Sequence, residues 1–202
     1  MPVLSFSRIR RDVREAIRDT YGLMWDDTAL DGIINEAQRE YSLLSGSLVG
    51  SFEVTATVSG VCECPGDYIE PVKMIGVDGH EKALYSWRYL DELFPDFREI
   101  PGSELRGIIT DFDGFGKIRV FPKLPAGTPA GKLYYKRLAA ADRIETQDVE
   151  AIELHCLYQV FLLTGKGSAG IYYKKFIDLV NRESSGRRGL GAKSGIRRGR
   201  FF

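Results

Sequence analysis

No stretch of eighteen apolar residues occurs in this chain of 202 residues, so a membrane-spanning helix is not expected. Cysteine is scarce. Cys62, Cys64 and Cys156 are too few and too badly spaced for a tetrahedral zinc site, and an odd number does not complete a disulfide framework. Histidine is scarcer still: neither His80 nor His155 has a Cys, Ser or His neighbour at ligand or triad spacing. The first residues, M-P-V-L-S-F-S-R-I-R-R, place their basic charges after a short apolar stretch. That is the wrong order for a secretory leader, so a cytoplasmic chain is expected.

Acid is what the last eighteen residues lack. Ser185 to Phe202 hold six cations (Arg187, Arg188, Lys193, Arg197, Arg198 and Arg200), five glycines and no carboxylate. With no apolar periodicity and low helix propensity, the segment is expected to be extended, and disordered on its own. The chain has 28 basic and 28 acidic residues, so without these six cations the body holds 22 bases against 28 acids. An acidic body with a basic arm suits docking of the arm elsewhere, with a protein partner favoured and nucleic acid second. The 44% hydrophobic content suffices for a core.

Helical spacing comes first along the chain. Ile9, Val13, Ala16, Ile17 and Tyr21 predict a helix from Phe6 to Tyr21 with a stop at Gly22. Asp26 and Asp27 offer an N-cap to a second helix with the stripe Leu30, Ile33, Ile34, Ala37, Tyr41 and Leu44, ending near Gly46. From Ser51 the period becomes two. Phe52 to Val58 and Val61 to Cys64 read as a hairpin about Ser59-Gly60, with Cys62 and Cys64 on one side of the second strand. Val72 to Val77 and Lys82 to Tyr85 flank Asp78-Gly79, Ser86 caps a short helix to Phe94, and Ile108 to Phe112 pair with Lys117 to Phe121 about Asp113-Gly114. A Pro/Gly-rich loop then leads to a strand at Lys132 to Arg137. Helical period returns after Thr146, with Val149, Ile152, Cys156, Val160 and Leu163 widened by Leu157, Phe161 and Leu162, and again after Gly170.

The expected fold is therefore α+β: a helical bundle from both chain ends, an inserted antiparallel β-sheet or sandwich, and an extended C-terminal arm. Its parts are residues 1–48 and 146–184 for the helices, 49–145 for the insertion and 185–202 for the arm. In that arrangement the termini pack together and the sheet projects from a helical base.

The motifs that invite chemistry do not hold up. Gly165-Lys-Gly167-Ser-Ala-Gly170 spells G-x-G-x-x-G, but a helix precedes it where a dinucleotide fold needs a strand, and the segment lacks the spacing of a P-loop. Asp111-Phe-Asp113-Gly114 begins like a calcium loop, yet its twelfth position is Pro122. His155 lies beside an apolar stripe and reads as a packed helix residue. Asp91, Glu92 and Asp96 read as a solvated face. No catalytic residue, cofactor site or metal site is nominated, and the chain is not expected to be an enzyme.

The second helix, Trp25-Asp-Asp-Thr-Ala-Leu-Asp-Gly-Ile-Ile-Asn-Glu-Ala-Gln-Arg-Glu-Tyr41, the passage Ser86-Trp-Arg-Tyr-Leu-Asp-Glu-Leu93, the strand Asp113-Gly-Phe-Gly-Lys-Ile-Arg-Val-Phe-Pro122, Lys132-Leu-Tyr-Tyr-Lys136, the closing helix pair and the basic tail together carry a likeness. In element order the chain resembles the head-to-tail adaptor (connector) proteins of tailed bacteriophages, which include the tail tubular A type proteins of short-tailed phages. The resemblance implies a structural virion protein at the head-tail junction, made in the host cytoplasm. It implies a ring of about twelve copies bound to the portal protein on one side and a downstream tail or nozzle protein on the other. Viral genomic DNA would pass through the channel without sequence recognition, and no membrane would be involved.

On that resemblance the C-terminal arm reaches the portal. Its candidate contacts are Arg187, Arg188, Leu190, Lys193, Ile196, Arg197, Arg198, Arg200, Phe201 and Phe202, with the apolar members as anchors and the arginines pairing with acids. The alternative is a nucleic-acid-binding protein whose Arg/Gly-rich arm tracks phosphates, Phe201 and Phe202 stacking on bases.

Overall fold

The computed structural model describes residues 5–110, 113–141, 143–145 and 148–191, with side chains through Ser184. It is a mixed α+β structure of five helices and seven strands among the described residues. The chain divides into two compact units, Met1–Ser47 with Ala139–Phe202, and Leu48–Leu138.

In the first unit, α1 (Phe6–Ile17) buries Ile9, Val13 and Ile17, one residue per turn on a single stripe. The helix stops four residues earlier than its spacing predicts. Arg18 takes a left-handed conformation at φ 62°, and its backbone N–H donates to Arg14 and Glu15 carbonyls. The cause is Asp19, whose buried carboxylate accepts the backbone N–H groups of Leu23 at 2.8 Å, Met24 at 3.2 Å and Trp25 at 2.9 Å. Three amide donors outweigh what one more helical turn would satisfy, and Tyr21 is left in solvent. Gly22 lets the loop cross the Arg14 side chain: a Cβ there would stand 3.0 Å from Nη2, at a φ of 65° that disfavours other residues. Arg14 in turn donates from Nη2 to the Trp25 carbonyl at 2.9 Å and pairs with Asp27 at 2.7 Å.

Helix α2 (Asp27–Ser45) begins where the sequence marks a cap, with the Asp26 carboxylate accepting the Ala29 N–H at 2.7 Å, and ends at left-handed Gly46. Two further helices of this unit follow Asp148. The first of them and its partner bury Ile152, Cys156 and Val160 against Phe176 and Val180, in the same cluster as the stripes of α1 and α2. Ala139 to Glu145, read from the sequence as the end of the insertion, are tied to α2. The Ala139 N–H donates to Ser42 Oγ and the Glu145 N–H to Gln38 Oε1, each at 3.1 Å.

The second unit is one curled sheet. Its strands are β1 (Val49–Thr55), β2 (Val61–Glu63), β3 (Tyr68–Gly76), β4 (Glu81–Ser86), β5 (Gly107–Thr110), β6 (Lys117–Phe121) and β7 (Pro129–Arg137), in the spatial order β1-β7-β3-β4-β5-β6-β2. Two expectations fail here. The strands about Ser59-Gly60 do not form a hairpin, since β1 pairs with β7 and β2 with β6. The sheet is neither a sandwich nor wholly antiparallel, because β4 and β5 run parallel. A parallel pair needs a crossover, and α3 (Trp87–Leu93) with the segment after it supplies that. The sheet curls until its two edges face each other: Cys62 Sγ donates to the Thr55 carbonyl at 3.1 Å and Thr57 Oγ1 to that of Val61 at 2.7 Å. Gly131 in β7 permits the tight packing against β3, as a Cβ there would lie 2.1 Å from the Ile75 carbonyl oxygen. The sheet's core includes Val54, Met74, Ile108, Ile118, Val120 and Leu133, while Leu90, Phe97, Ile109 and Phe121 form a smaller one under α3.

The last two helices are α4 (Val149–Leu163), capped by the Asp148 carboxylate on the Ala151 N–H, and α5 (Ala169–Gly191). The backbone of α5 thus runs into the segment expected to be extended. No proline interrupts it and arginine is a fair helix former, which offsets the glycines there. Residues 192–202 lie outside the described residues. Among those described, no helix is long and apolar enough to cross a membrane.

Substituting Ile34→Asp or Ile152→Asp, both buried in the helical cluster, is expected to cost about 3–5 kcal/mol, since a carboxylate there has no partner. Chemical denaturation followed by circular dichroism measures this, and an unchanged midpoint would show the cluster to be misplaced. Asp19 generates a second expectation. Burial works against its charge, but the N–H donors of Met24, Trp25 and Leu23, helped by Arg14, hold its pKa below the usual carboxylate value. A depressed folded-state value contributes stability above the unfolded pKa and loses it as pH falls through the folded one. Asp19→Ala should therefore melt a few degrees lower than the parent at pH 7, with the gap closing as the pH drops below about 4.

Candidate interaction surfaces

Within the helical unit, His155 is a buried polar side chain that reaches another helix. It is fully buried on α4, and its Nε2 lies 2.6 Å from Glu40 Oε2 on α2. A carboxylate only accepts, so Nε2 carries the proton and donates. Tyr173 on α5 donates its hydroxyl to the other oxygen, Glu40 Oε1, at 3.3 Å. The imidazole also packs edge-on to Phe176, with ring centroids 4.9 Å apart. His155 Nδ1 has no hydrogen-bond partner. One carboxylate thus joins three helices. The histidine is a packed helix residue, as its sequence position suggested, but Glu40 had no signal: it lies 115 positions away, on a helix face that reads as solvated.

The sequence motifs land where a structural reading puts them. Gly165 turns the chain between α4 and α5 at φ 67°. Both oxygens of Asp113 are taken by Arg119, from Nε at 3.0 Å and Nη2 at 2.8 Å, so the hairpin closes on an internal bidentate ion pair. Burial pushes the thiols of Cys62 and Cys156 upward and that of Cys64 to about 11. None is a thiolate at neutral pH, so none is poised as a nucleophile. No group of three His, Cys, Asp or Glu among the described residues is placed to hold a metal ion.

A cleft of about 210 Å³ lies along α1, lined by Ser7, Arg10, Arg11, Arg14, Glu15, Thr20 and Asp27. Its cations are answered internally. Arg10 pairs with Asp27 and Asp31, Arg14 with Asp27, and Arg11 with Asp12.

What the surface offers instead is apolar area. Tyr21 and Leu23 in the α1–α2 loop are 89% and 86% exposed, with Met24 beside them. Leu163, expected from the sequence on the buried stripe of α4, and Leu162, expected to widen it, are exposed, as is Ile171 at the start of α5. They overshoot the buried face because α4 is apolar nearly all round, so periodicity could not say which residues turn inward. In the sheet unit, α3 exposes Tyr89, Leu93 and Phe94 beside Asp91, Glu92 and Asp96. Contiguous exposed apolar side chains are a common feature of protein-binding surfaces.

The side chains of Arg187, Arg188 and Leu190, and the whole of Lys193, Ile196, Arg197, Arg198, Arg200, Phe201 and Phe202, lie outside the described residues.

No curated protein matches the chain. The family profile described as SU10 adaptor protein matches residues 4–198, which takes in both units and most of the basic segment. Ion pairs close on themselves and large apolar side chains turn outward, and the chain belongs to the SU10 adaptor protein family, a family of structural bacteriophage adaptors.

Proposed function

We propose that this chain is a non-enzymatic, ring-forming head-to-tail adaptor of the virion. About twelve copies close into a ring that joins the portal protein to a downstream tail or nozzle protein, the role that tail tubular A type proteins fill in short-tailed phages. The observation that carries the reading is the family match over residues 4–198. In this reading α1, α2, α4 and α5 act as one helical bundle and form the ring wall around a channel for genomic DNA. The exposed Tyr21, Leu23 and Met24, and the exposed Leu162, Leu163 and Ile171, support it because neighbouring copies in a ring would cover such side chains.

The basic arm, residues 185–202, docks on the portal. Leu190, Ile196, Phe201 and Phe202 serve as apolar anchors, while Arg187, Arg188, Arg197, Arg198 and Arg200 pair with portal acids. Ordering the arm costs conformational entropy, which a single copy offsets weakly. Repetition around a closed ring makes the joint strong.

Two tests follow. Replacing Leu23→Ser together with Met24→Ser removes only exposed apolar surface, so melting should be unchanged. Ring assembly, read by sedimentation velocity and electron microscopy, should weaken by about tenfold or more. Full ring formation by that variant would remove the loop from the interface. Truncation after Ser184 should leave the fold intact and abolish co-sedimentation with portal rings. Portal binding that survives the truncation would sink the docking-arm reading, and a steeply salt-dependent gel shift with free DNA by the full chain alone would favour the nucleic-acid alternative.

A further inference from the structure

The crossover lobe carried by α3 holds an exposed apolar surface outside the contacts proposed above for the portal. Tyr89 and Leu93, four residues apart and so on one helix face, are 47% and 53% exposed, and Phe94 just beyond is 43% exposed. They are firmly backed. Tyr85 stacks on Tyr89 with ring centroids 6.5 Å apart, and Tyr85 and Phe94 both lean on the buried ring of Phe121 at 5.7 and 6.3 Å. An aromatic surface already held by packing loses little rotamer freedom when something binds it.

The rim is anionic. Asp91, Glu92 and Asp96 are exposed and make no ion pair among the described residues. The lobe's cations are fewer: the Arg88 and Arg98 guanidinium groups lie over the rings of Trp87 and Phe97 at 5.6 and 5.5 Å and Arg106 acts electrostatically on Tyr85, so three cations stand against the five acids Asp91, Glu92, Asp96, Glu99 and Glu104 between residues 87 and 106. An apolar aromatic centre with an acidic rim calls for a ligand that combines aromatic anchors with Arg or Lys.

The chain contains such a segment. Residues 192–202, A-K-S-G-I-R-R-G-R-F-F, hold four cations, no acid and the apolar side chains Ile196, Phe201 and Phe202. We infer that, before a portal is met, residues 192–202 of one copy seat on the α3 lobe of a second copy, aromatic end on the aromatic patch and arginines toward the acidic rim. The contact shields the basic arm from nucleic acid and releases it when a portal competes. It rests on the reading above only in treating the segment as a docking arm.

The experiment uses the full chain with no portal present, so a failed portal joint leaves its readout untouched. Sedimentation velocity across a concentration series, at low and high salt, compares the parent with Glu92→Lys plus Asp96→Lys, with Arg197→Glu plus Arg198→Glu, and with all four changes together. Each pair should weaken self-association by about tenfold or more, and the fourfold variant should regain most of the loss, because each reversed charge again faces its opposite. Tyr89→Ala with Leu93→Ala should weaken it at high salt as well. All the described residues changed are exposed, so circular dichroism melts should match the parent. A parent that stays monomeric at every concentration overturns the inference. So does a fourfold variant no better than the weaker pair, as expected if a ring surface unrelated to the arm drives association.

Discussion

The helical unit depends on apolar surface that no local part of the chain can cover. The stripes of α1 and α2, Ile9, Val13, Leu30 and Ile34 among them, enter one buried cluster with Ile152, Cys156, Val160 and Phe176 from beyond residue 148. Helices of this length are marginal in water without such a face to bury. Contacts between residues so far apart in sequence are gained only after a long loop has closed, yet loop-closure entropy grows slowly with loop length, so a sheet of some ninety residues can be accommodated between the halves. Glu40, shared by His155 and Tyr173, adds a polar tie across three of these four helices, α2, α4 and α5. Breaking one partner there would leave a buried group unsatisfied, so this tie specifies which faces meet as much as it stabilises them.

The same economy governs the charges. Asp19, Asp27 and Asp113 each accept from groups that the chain must place anyway, backbone amides in one case and arginines in the others. These carboxylates are engaged in closing turns and helix ends. Strong hydrogen bonding to a charged carboxylate and availability to a ligand are competing uses of the same lone pairs.

Much of the local structure was legible because its signals are local. Asp26 as a cap, Gly46 as a stop, the Asp113-Gly114 turn and the helix after Ser86 all rest on residues within a few positions of each other. What escaped was decided at long range. The Ser59-Gly60 turn joins strands that pair with β7 and β6, partners found only when the sheet curls, and the parallel β4–β5 pair requires knowing that α3 is a crossover. Helix α1 was read too long because Asp19's three amide partners lie beyond Gly22, and the exposure of Leu162 and Leu163 was hidden because a helix apolar on every side has no periodicity to read. For the candidate surfaces the aromatic residues of α3 were visible as a short helix. Their exposure, and the backing of Tyr89 and Phe94 by Tyr85 and Phe121, was not.

The proposed role asks one small chain to meet two unlike partners and its own copies, and the composition suits that division of labour. Where the fold buries charge it pairs it internally, as at Arg119 and Asp113, so these groups contribute shape and little long-range field. Where we propose that the chain binds, it presents large apolar side chains next to charges that make no ion pair among the described residues, as on α3, or a sequence of like charge punctuated by aromatics, as in residues 192–202. Apolar anchors supply affinity, while the surrounding charge supplies rate and choice of partner. Because the acidic body and the basic segment are opposite in sign, any site that attracts the segment through charge must compete with every acidic surface on neighbouring copies. The proposed ring would concentrate such surfaces, so on this reading a portal would succeed only if it offered the aromatic end of the segment a better pocket than the subunits themselves do.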